Sequence, residues 1–154
     1  MLPVTPPLAP KTATPISIDT MKRDVAAAAL DAGATIVNDV SAGTFDPRMI
    51  DLWRGCQCGI VLMHMQGTPQ TMQSDPRYEN VVRDVRAWLQ LRLELCRSES
   101  IAAERILLDP GIGFGKTAEH NLELLTNITA LQLLDRPVLI GHSRKRFLYR
   151  LLGR

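Results

Sequence analysis

Ile106-Leu107-Leu108-Asp109-Pro110-Gly111-Ile112-Gly113-Phe114-Gly115-Lys116-Thr117 is the stretch on which the reading of the fold turns. It opens as a short apolar run, stops at a carboxylate and passes into a glycine-rich segment. A buried parallel strand reads as such a run of branched residues. In α/β barrels the chemistry sits at the carboxyl ends of the strands. Working outward, three further runs end the same way. Pro15-Ile16-Ser17-Ile18-Asp19-Thr20 and Thr35-Ile36-Val37-Asn38-Asp39 precede it, and Val138-Leu139-Ile140-Gly141-His142-Ser143-Arg144-Lys145 follows. Four polar clusters at four strand ends imply one composite pocket.

The rest of the chain fits between these runs. Residues 1–15 hold five prolines and read as an extended lead-in, with a single domain over 16–154. Strands are expected at 16–19, 35–38, 59–63, 106–108 and 138–140. Helices are expected from Thr20 to a close at Gly33, around 47–53, over 78–98, over about 119–131, and from 144 onward. Thr20 is a plausible N-cap and Gly33 a plausible residue just past the helix end. Val81, Val82, Val85, Trp88, Leu89 and Cys96 recur at helical spacing in the longest helix. Alternating strands and helices demand parallel pairing with helical crossovers. The fold class is α/β with about five parallel strands and outer helices. A closed (β/α)8 barrel needs eight strands and usually about 250 residues. Five strands therefore make an open sheet or part of a barrel, and the motifs decide between them.

Composition narrows the function classes. The chain is 45% hydrophobic and 22% charged, with a net charge of +2. That charge is too small to argue for nucleic acid or a membrane surface. No apolar run reaches transmembrane length, and the first residues lack a signal peptide's charged start and long apolar stretch. The three cysteines, Cys56, Cys58 and Cys96, read as reduced structural thiols of a cytoplasmic protein.

The glycine-rich segment fails two nucleotide-binding spacings. A P-loop needs a glycine where Pro110 stands, and a dinucleotide fingerprint needs one where Lys116 stands. Gly141-His142-Ser143-Arg144-Lys145 follows a strand and opens a helix, which suits an anion; a solvated basic face with a serine cap is the plain alternative. Asp19 and Asn38 suit a fused nitrogen heterocycle, which offers ring N–H, amino and carbonyl groups in one plane. Asp39 reads as a helix cap. His64, between two methionines, reads as a packed or loop histidine.

Together, Ser17-Ile18-Asp19-Thr20, Ile36-Val37-Asn38-Asp39-Val40, Leu62-Met63-His64-Met65-Gln66-Gly67, Asp109 to Lys116 and Ser143-Arg144-Lys145 resemble the dihydropteroate synthase family, in its order and spacing. The resemblance implies a partial (β/α)8 barrel of the folate pathway. It also implies a reaction joining 6-hydroxymethyl-7,8-dihydropterin diphosphate to p-aminobenzoate, with release of diphosphate. The family's pterin pocket maps onto Asp19, Asn38, Met63, Asp109, Phe114, Gly141 and Lys145. Ser143 would help hold p-aminobenzoate, where sulfonamides compete. Asp19, Asp109 and Lys145 would carry the catalysis. Mg2+ is the implied cofactor, yet the family's Asn-x-Thr-x-Asp-Ser-Phe-Ser segment, which helps bind diphosphate and Mg2+, is absent, as are its Ser-Thr-Arg-Pro-Gly and Arg-x-His segments. No metal ligand is therefore assigned here. The family's full-length form is expected to be a homodimer. This chain is expected to be a partial form, lacking two strands in front and one behind, with little activity alone and open edges that favour association. A non-catalytic pterin-binding module and a pterin-dependent methyltransferase domain are the rival readings. Ser143-Arg144-Lys145 speaks against the methyltransferase.

Overall fold

The computed structural model describes residues 12–153. Strands β1 (Ser17–Asp19), β2 (Ile36–Asp39), β3 (Gly59–Met63) and β4 (Ile106–Asp109) form one parallel sheet in the order β1-β2-β3-β4. Helix α1 (Arg23–Asp31) joins β1 to β2, α2 (Arg48–Gly55) joins β2 to β3, and α3 (Val81–Ser98) joins β3 to β4. Helices α4 (Ala118–Thr126), α5 (Thr129–Gln132) and α6 (Arg146–Leu151) follow. Parallel neighbours cannot be joined by a hairpin, so each connection crosses back over the sheet.

Register divides the sheet into two chemically different faces. Ile18 pairs with Val37, Val37 with Ile60, and Ile60 with Ile106. Side chains alternate along a strand and register partners share a side. One face therefore carries Ile18, Val37, Asp39, Ile60, Leu62, Ile106 and Leu108. Val37, Ile60, Leu62 and Leu108 there are fully buried, in one cluster with Met49 and Trp53 of α2 and Val85 and Leu89 of α3. The opposite face carries Asp19, Asn38, Val61, Met63, Leu107 and Asp109. This is the helix-free face, and it holds most of the expected pocket.

Asp39 shows why face matters. It belongs to the helix side and is wholly buried. Its Oδ1 accepts from the Ser41 backbone N–H at 2.8 Å and the Ser41 hydroxyl at 2.7 Å, and its Oδ2 accepts from the Gly43 N–H at 2.8 Å. The expected helix cap is thus corrected: Asp39 closes the turn after β2, and α2 begins only at Arg48, with Pro47 at its cap position.

The expected fifth strand is corrected. Val138 makes only an isolated bridge to Leu108, in which the Leu108 N–H donates to Pro137 O at 2.9 Å and the Leu139 N–H donates to Leu108 O at 2.8 Å. The next rungs on either side would need an N–H from Pro137 or Pro110, and proline has none. The sheet proper therefore has four strands, with 138–140 lying beside β4. The long helix expected over 119–131 is also broken. The Thr126 hydroxyl and the Asn127 side-chain amide both donate to Glu123 O, and the chain restarts as α5. Such local side-chain bonds compete with helix continuation.

Helix starts shift for similar reasons. Asn80 caps α3 by accepting from the Arg83 N–H at 2.8 Å, so the helix begins at Val81 rather than 78. Thr20 does not cap α1; Lys22 holds that position, and the Thr20 hydroxyl accepts from the Lys22 N–H at 3.1 Å. Gly33 does lie just past the end of α1, at φ 100°, a conformation that glycine adopts without cost. Of the expected lead-in, residues 1–11 lie outside the described residues, and 12–15 are exposed.

Leu108 is both a core residue and the sole rung to 138–140. Leu108→Ala is expected to lower unfolding stability by about 2–5 kcal/mol, read as the urea midpoint. Leu139→Ala, on the partly exposed side of the same bridge, is expected to cost far less.

Candidate functional site

The helix-free face ends in two registered pairs. Asp19 stands beside Asn38, and Met63 stands beside Asp109. The Asn38 amide donates to Asp19 Oδ2 at 3.4 Å, while the buried Asn38 Oδ1 has no partner. Asp109 is buried, and its Oδ1 accepts from the Gly111 N–H at 2.7 Å. Burial raises the Asp109 carboxyl above its ordinary value, opposed by the Gly111 N–H and the charges of Lys116 and Lys145. Asp19 is raised too, first by the protein packed around it and then by Asp39, with Lys145 opposing; its solvent exposure moderates the shift.

Lys145 reaches this group from the far end of the sequence. Its Nζ lies 4.0 Å from the centroid of the Phe114 ring, a cation–π distance. Burial pushes its ammonium below the ordinary lysine value, and Asp109 and Asp19 pull it back. A methyl group on Gly113 would come within 2.9 Å of Lys145 Cδ, so the lysine stem lies flat along the glycine-rich loop.

That loop is held by groups the sequence does not advertise. Lys116 is 3% exposed, and its Nζ donates to Gly111 O at 3.0 Å and Phe114 O at 2.9 Å and meets His64 Nδ1 at 3.0 Å. Burial pushes the Lys116 ammonium down to about 7. The charge of Asp109 opposes that shift and that of Lys145 adds to it, and His64 O is a further acceptor at 3.4 Å. His64 is pushed down to about 3 by burial first and Lys116 second, so it accepts as neutral imidazole. It packs against Trp88, with ring centroids 5.1 Å apart, as the packed-histidine reading expects. The Gly113 N–H donates to Asn121 Oδ1 at 2.7 Å, and the Tyr78 hydroxyl donates to Gly115 O at 2.7 Å. Lys116, Asn121 and Tyr78 are the supporting residues that sequence reasoning missed. Nothing in their spacing marks an inward-facing lysine.

The structure thus brings together Asp19, Asn38, Met63, Asp109, Phe114 and Lys145. It leaves Gly141 and Ser143 exposed on the segment before α6. The helix expected from 144 begins at Arg146, so Ser143 precedes its cap position. A cavity of about 520 Å³ opens beside Lys145, bounded by Gln73, Gly113, Arg144 and Phe147. Another, of about 440 Å³, lies on the outer helical surface by Leu93 and Leu133, away from every expected site residue. Among the described residues no group of three or more His, Cys, Asp or Glu side chains could hold a metal ion, and no helix is long and apolar enough to cross a membrane.

The family model for pterin binding enzymes matches residues 1–154. The chain belongs to the pterin binding enzyme family. The dihydropteroate synthase of Synechocystis is 44% identical over 138 residues, covering 90% of this chain and 48% of the relative. The solved dihydropteroate synthase of Stenotrophomonas maltophilia, with imidazole in its active site, superposes with a TM-score of 0.96 at 42% identity, covering 100% of this chain and 58% of that one. That of Xanthomonas albilineans in complex with 7,8-dihydropteroate gives 0.91 at 39% identity, covering 100% and 57%. The chain spans about half the length of the curated relatives it matches. The four parallel strands with outer helices are therefore a sector of the barrel that these pterin binding enzymes share.

Two expected outcomes follow from the loop geometry. A methyl group at Gly111 would collide with the His64 carbonyl, and Gly111 has φ 69°. Gly111→Ala should lower the urea midpoint strongly, by about 1–3 kcal/mol or more, whereas Gly141→Ala, which meets nothing within 4 Å, should leave it unchanged.

The second outcome concerns pH. His64 titrates at about 3 when folded, against an ordinary value of 6.5. Between those values the unfolded chain binds a proton that the folded chain does not, so stability is lost as pH falls through that window. Asp19 and Asp109, whose folded values are raised, contribute in the opposite sense. Thermal unfolding of wild type and His64→Gln from neutral to acid pH should show a shallower loss in the variant.

Proposed function

We propose that this chain carries the pterin-binding part of a dihydropteroate synthase. The reaction joins 6-hydroxymethyl-7,8-dihydropterin diphosphate to p-aminobenzoate, giving dihydropteroate and diphosphate. The observation that carries the reading is the convergence of Asp19, Asn38, Met63, Asp109 and Lys145 on the helix-free face. A pterin ring offers N–H and amino donors along one edge and a carbonyl acceptor beside them. Asp109 and Asp19 suit the donors, the unpartnered Asn38 Oδ1 adds another acceptor, and Lys145 suits the ring acceptors. Met63 and Phe114 supply apolar and aromatic contact for the ring, and Gly141 leaves room at its rim.

Loss of diphosphate leaves positive charge on the pterin methylene. Two carboxylates fixed beforehand near that charge stabilise it as it develops. The aniline nitrogen of p-aminobenzoate is already a nucleophile and needs positioning more than activation. The cavity beside Lys145 and the exposed Ser143 suit the second substrate, and sulfonamides, as its mimics, would compete there. The Xanthomonas albilineans enzyme has been solved with 4-aminobenzoic acid, which supports this second-substrate reading. No step is assigned to Mg2+. The complete enzyme is proposed to be a cytoplasmic homodimer.

Calorimetric titration of the chain with a non-hydrolysable dihydropterin is the direct test. Asp109→Asn should weaken binding by about 10- to 100-fold, the loss expected for a buried hydrogen bond to a charged group. Arg48→Ala, remote on the surface of α2, should leave it unchanged. Equal affinity of wild type and Asp109→Asn would overturn the assignment.

A further inference from the structure

The cysteines Cys56 and Cys58 lie apart from the pterin end. Cys56 is the residue that closes α2, and Cys58 immediately precedes β3, at the opposite end of that strand from Met63. The sequence reads them as reduced structural thiols. The structure sets their sulfurs 2.8 Å apart. Arg105 Nη2 lies 3.7 Å from Cys56 Sγ and 3.9 Å from Cys58 Sγ. Its guanidinium is fixed there by donating to Trp53 O at 2.8 Å and Cys58 O at 2.9 Å. A cavity of about 240 Å³, bounded by Leu30, Ala34 and Thr35, opens onto both cysteines.

We propose that Cys56 and Cys58 form a redox-active dithiol that closes to an intramolecular disulfide on meeting a small-molecule disulfide such as oxidised glutathione. Proximity, a fixed cation and an access route coincide at this one place. The fully buried Cys96 has no part in it. A guanidinium beside a sulfur favours the thiolate, which is the reactive form. Cys56 is the more exposed of the pair and reacts first. Its thiolate attacks one sulfur of the small disulfide, forms a mixed disulfide and expels the other half as a thiolate. Cys58 then releases its proton to solvent, and its sulfur attacks Cys56 Sγ and expels the second thiolate. The protein loses two electrons and two protons, and the small disulfide becomes two thiols.

The order of steps has a physical basis. Burial and the neighbouring Cys56 push the Cys58 thiol up to about 12, with Arg105 opposing. Once Cys56 is a neutral mixed disulfide its contribution is gone, while that of Arg105 remains. A linear thiolate pair on a soft metal would require the sulfurs to separate. A disulfide asks them to approach, towards about 2.05 Å. A bridge between residues only two apart closes a small ring, and strained bridges are the readily reduced, regulatory kind. In a reducing compartment such bridges are transient and redox-sensing.

The test equilibrates the full chain in buffers of graded reduced-to-oxidised glutathione ratio. Free thiols are then alkylated under denaturing conditions and located by peptide mass spectrometry. The expected result is loss of two hydrogens from the peptide holding residues 56–58, absence of alkylation at both cysteines, full alkylation of Cys96, and reversal by dithiothreitol. Cys58→Ser should stop at a glutathionyl adduct on Cys56, and Arg105→Gln should slow closure. If Cys58→Ser does not fold, the wild-type mapping decides alone. Complete alkylation of Cys56 and Cys58 from the most oxidising buffer, or a lasting glutathionyl adduct on wild-type Cys56, overturns the proposal.

Discussion

A buried ammonium, aided by the Tyr78 hydroxyl and the Gln73 amide, holds the two loops of the site to each other. Lys116 projects back beneath its own glycine-rich loop and meets the start of the loop after β3. Its partners are backbone carbonyls and one imidazole nitrogen, none of them an anion in contact. A buried cation without a bonded counter-ion is costly unless every N–H is used. Here that condition is met by turning carbonyl and imidazole acceptors inward. This requirement bends residues 111–116 into their shape, which in turn sets where the Asp109 carboxylate and the Phe114 ring lie. The loop that carries the Phe114 ring is thus shaped by its own buried lysine.

The two-faced sheet explains how one chain keeps a core and a polar pocket separate. A shift of one residue in register would exchange Asp109 with Leu108 and Asn38 with Val37. Each strand is short, between three and five residues, so the buried apolar set on the helix side is what fixes that register. The polar residues on the other face then follow without any energetic term of their own.

Much of this was legible in the sequence, for definable reasons. Runs such as Gly59-Ile60-Val61-Leu62-Met63 carry branched and apolar side chains on both faces, which only a covered parallel strand tolerates. Asp19, Asn38 and Asp109 stood out because a polar residue ends each run. Their convergence was also expected, since all strands point one way. The failures share another cause. The break after Thr126 and the loss of a fifth ladder depend on side-chain amides and missing proline N–H groups, which hydrophobic periodicity ignores. The inward turn of Lys116 depends on acceptors 52 residues away at His64, which no local pattern encodes. Ser143 and Gly141 lie exposed on the segment between the single rung at Leu108 and α6, so their motif states a neighbourhood and not a contact.

That single rung has a mechanical meaning. The segment carrying Lys145 hangs from β4 by two hydrogen bonds at Leu108, with a proline closing off each neighbouring rung. Those two bonds fix one point of the segment, and packing fixes the rest, since Val138 and Ile140 lie against the core and Phe147, beyond Lys145, is buried in it. Lys145 is therefore carried between two anchored points, a ladder bond on one side and a buried ring on the other. Amide exchange would read the first of these anchors at the Leu139 N–H, which donates to Leu108 O.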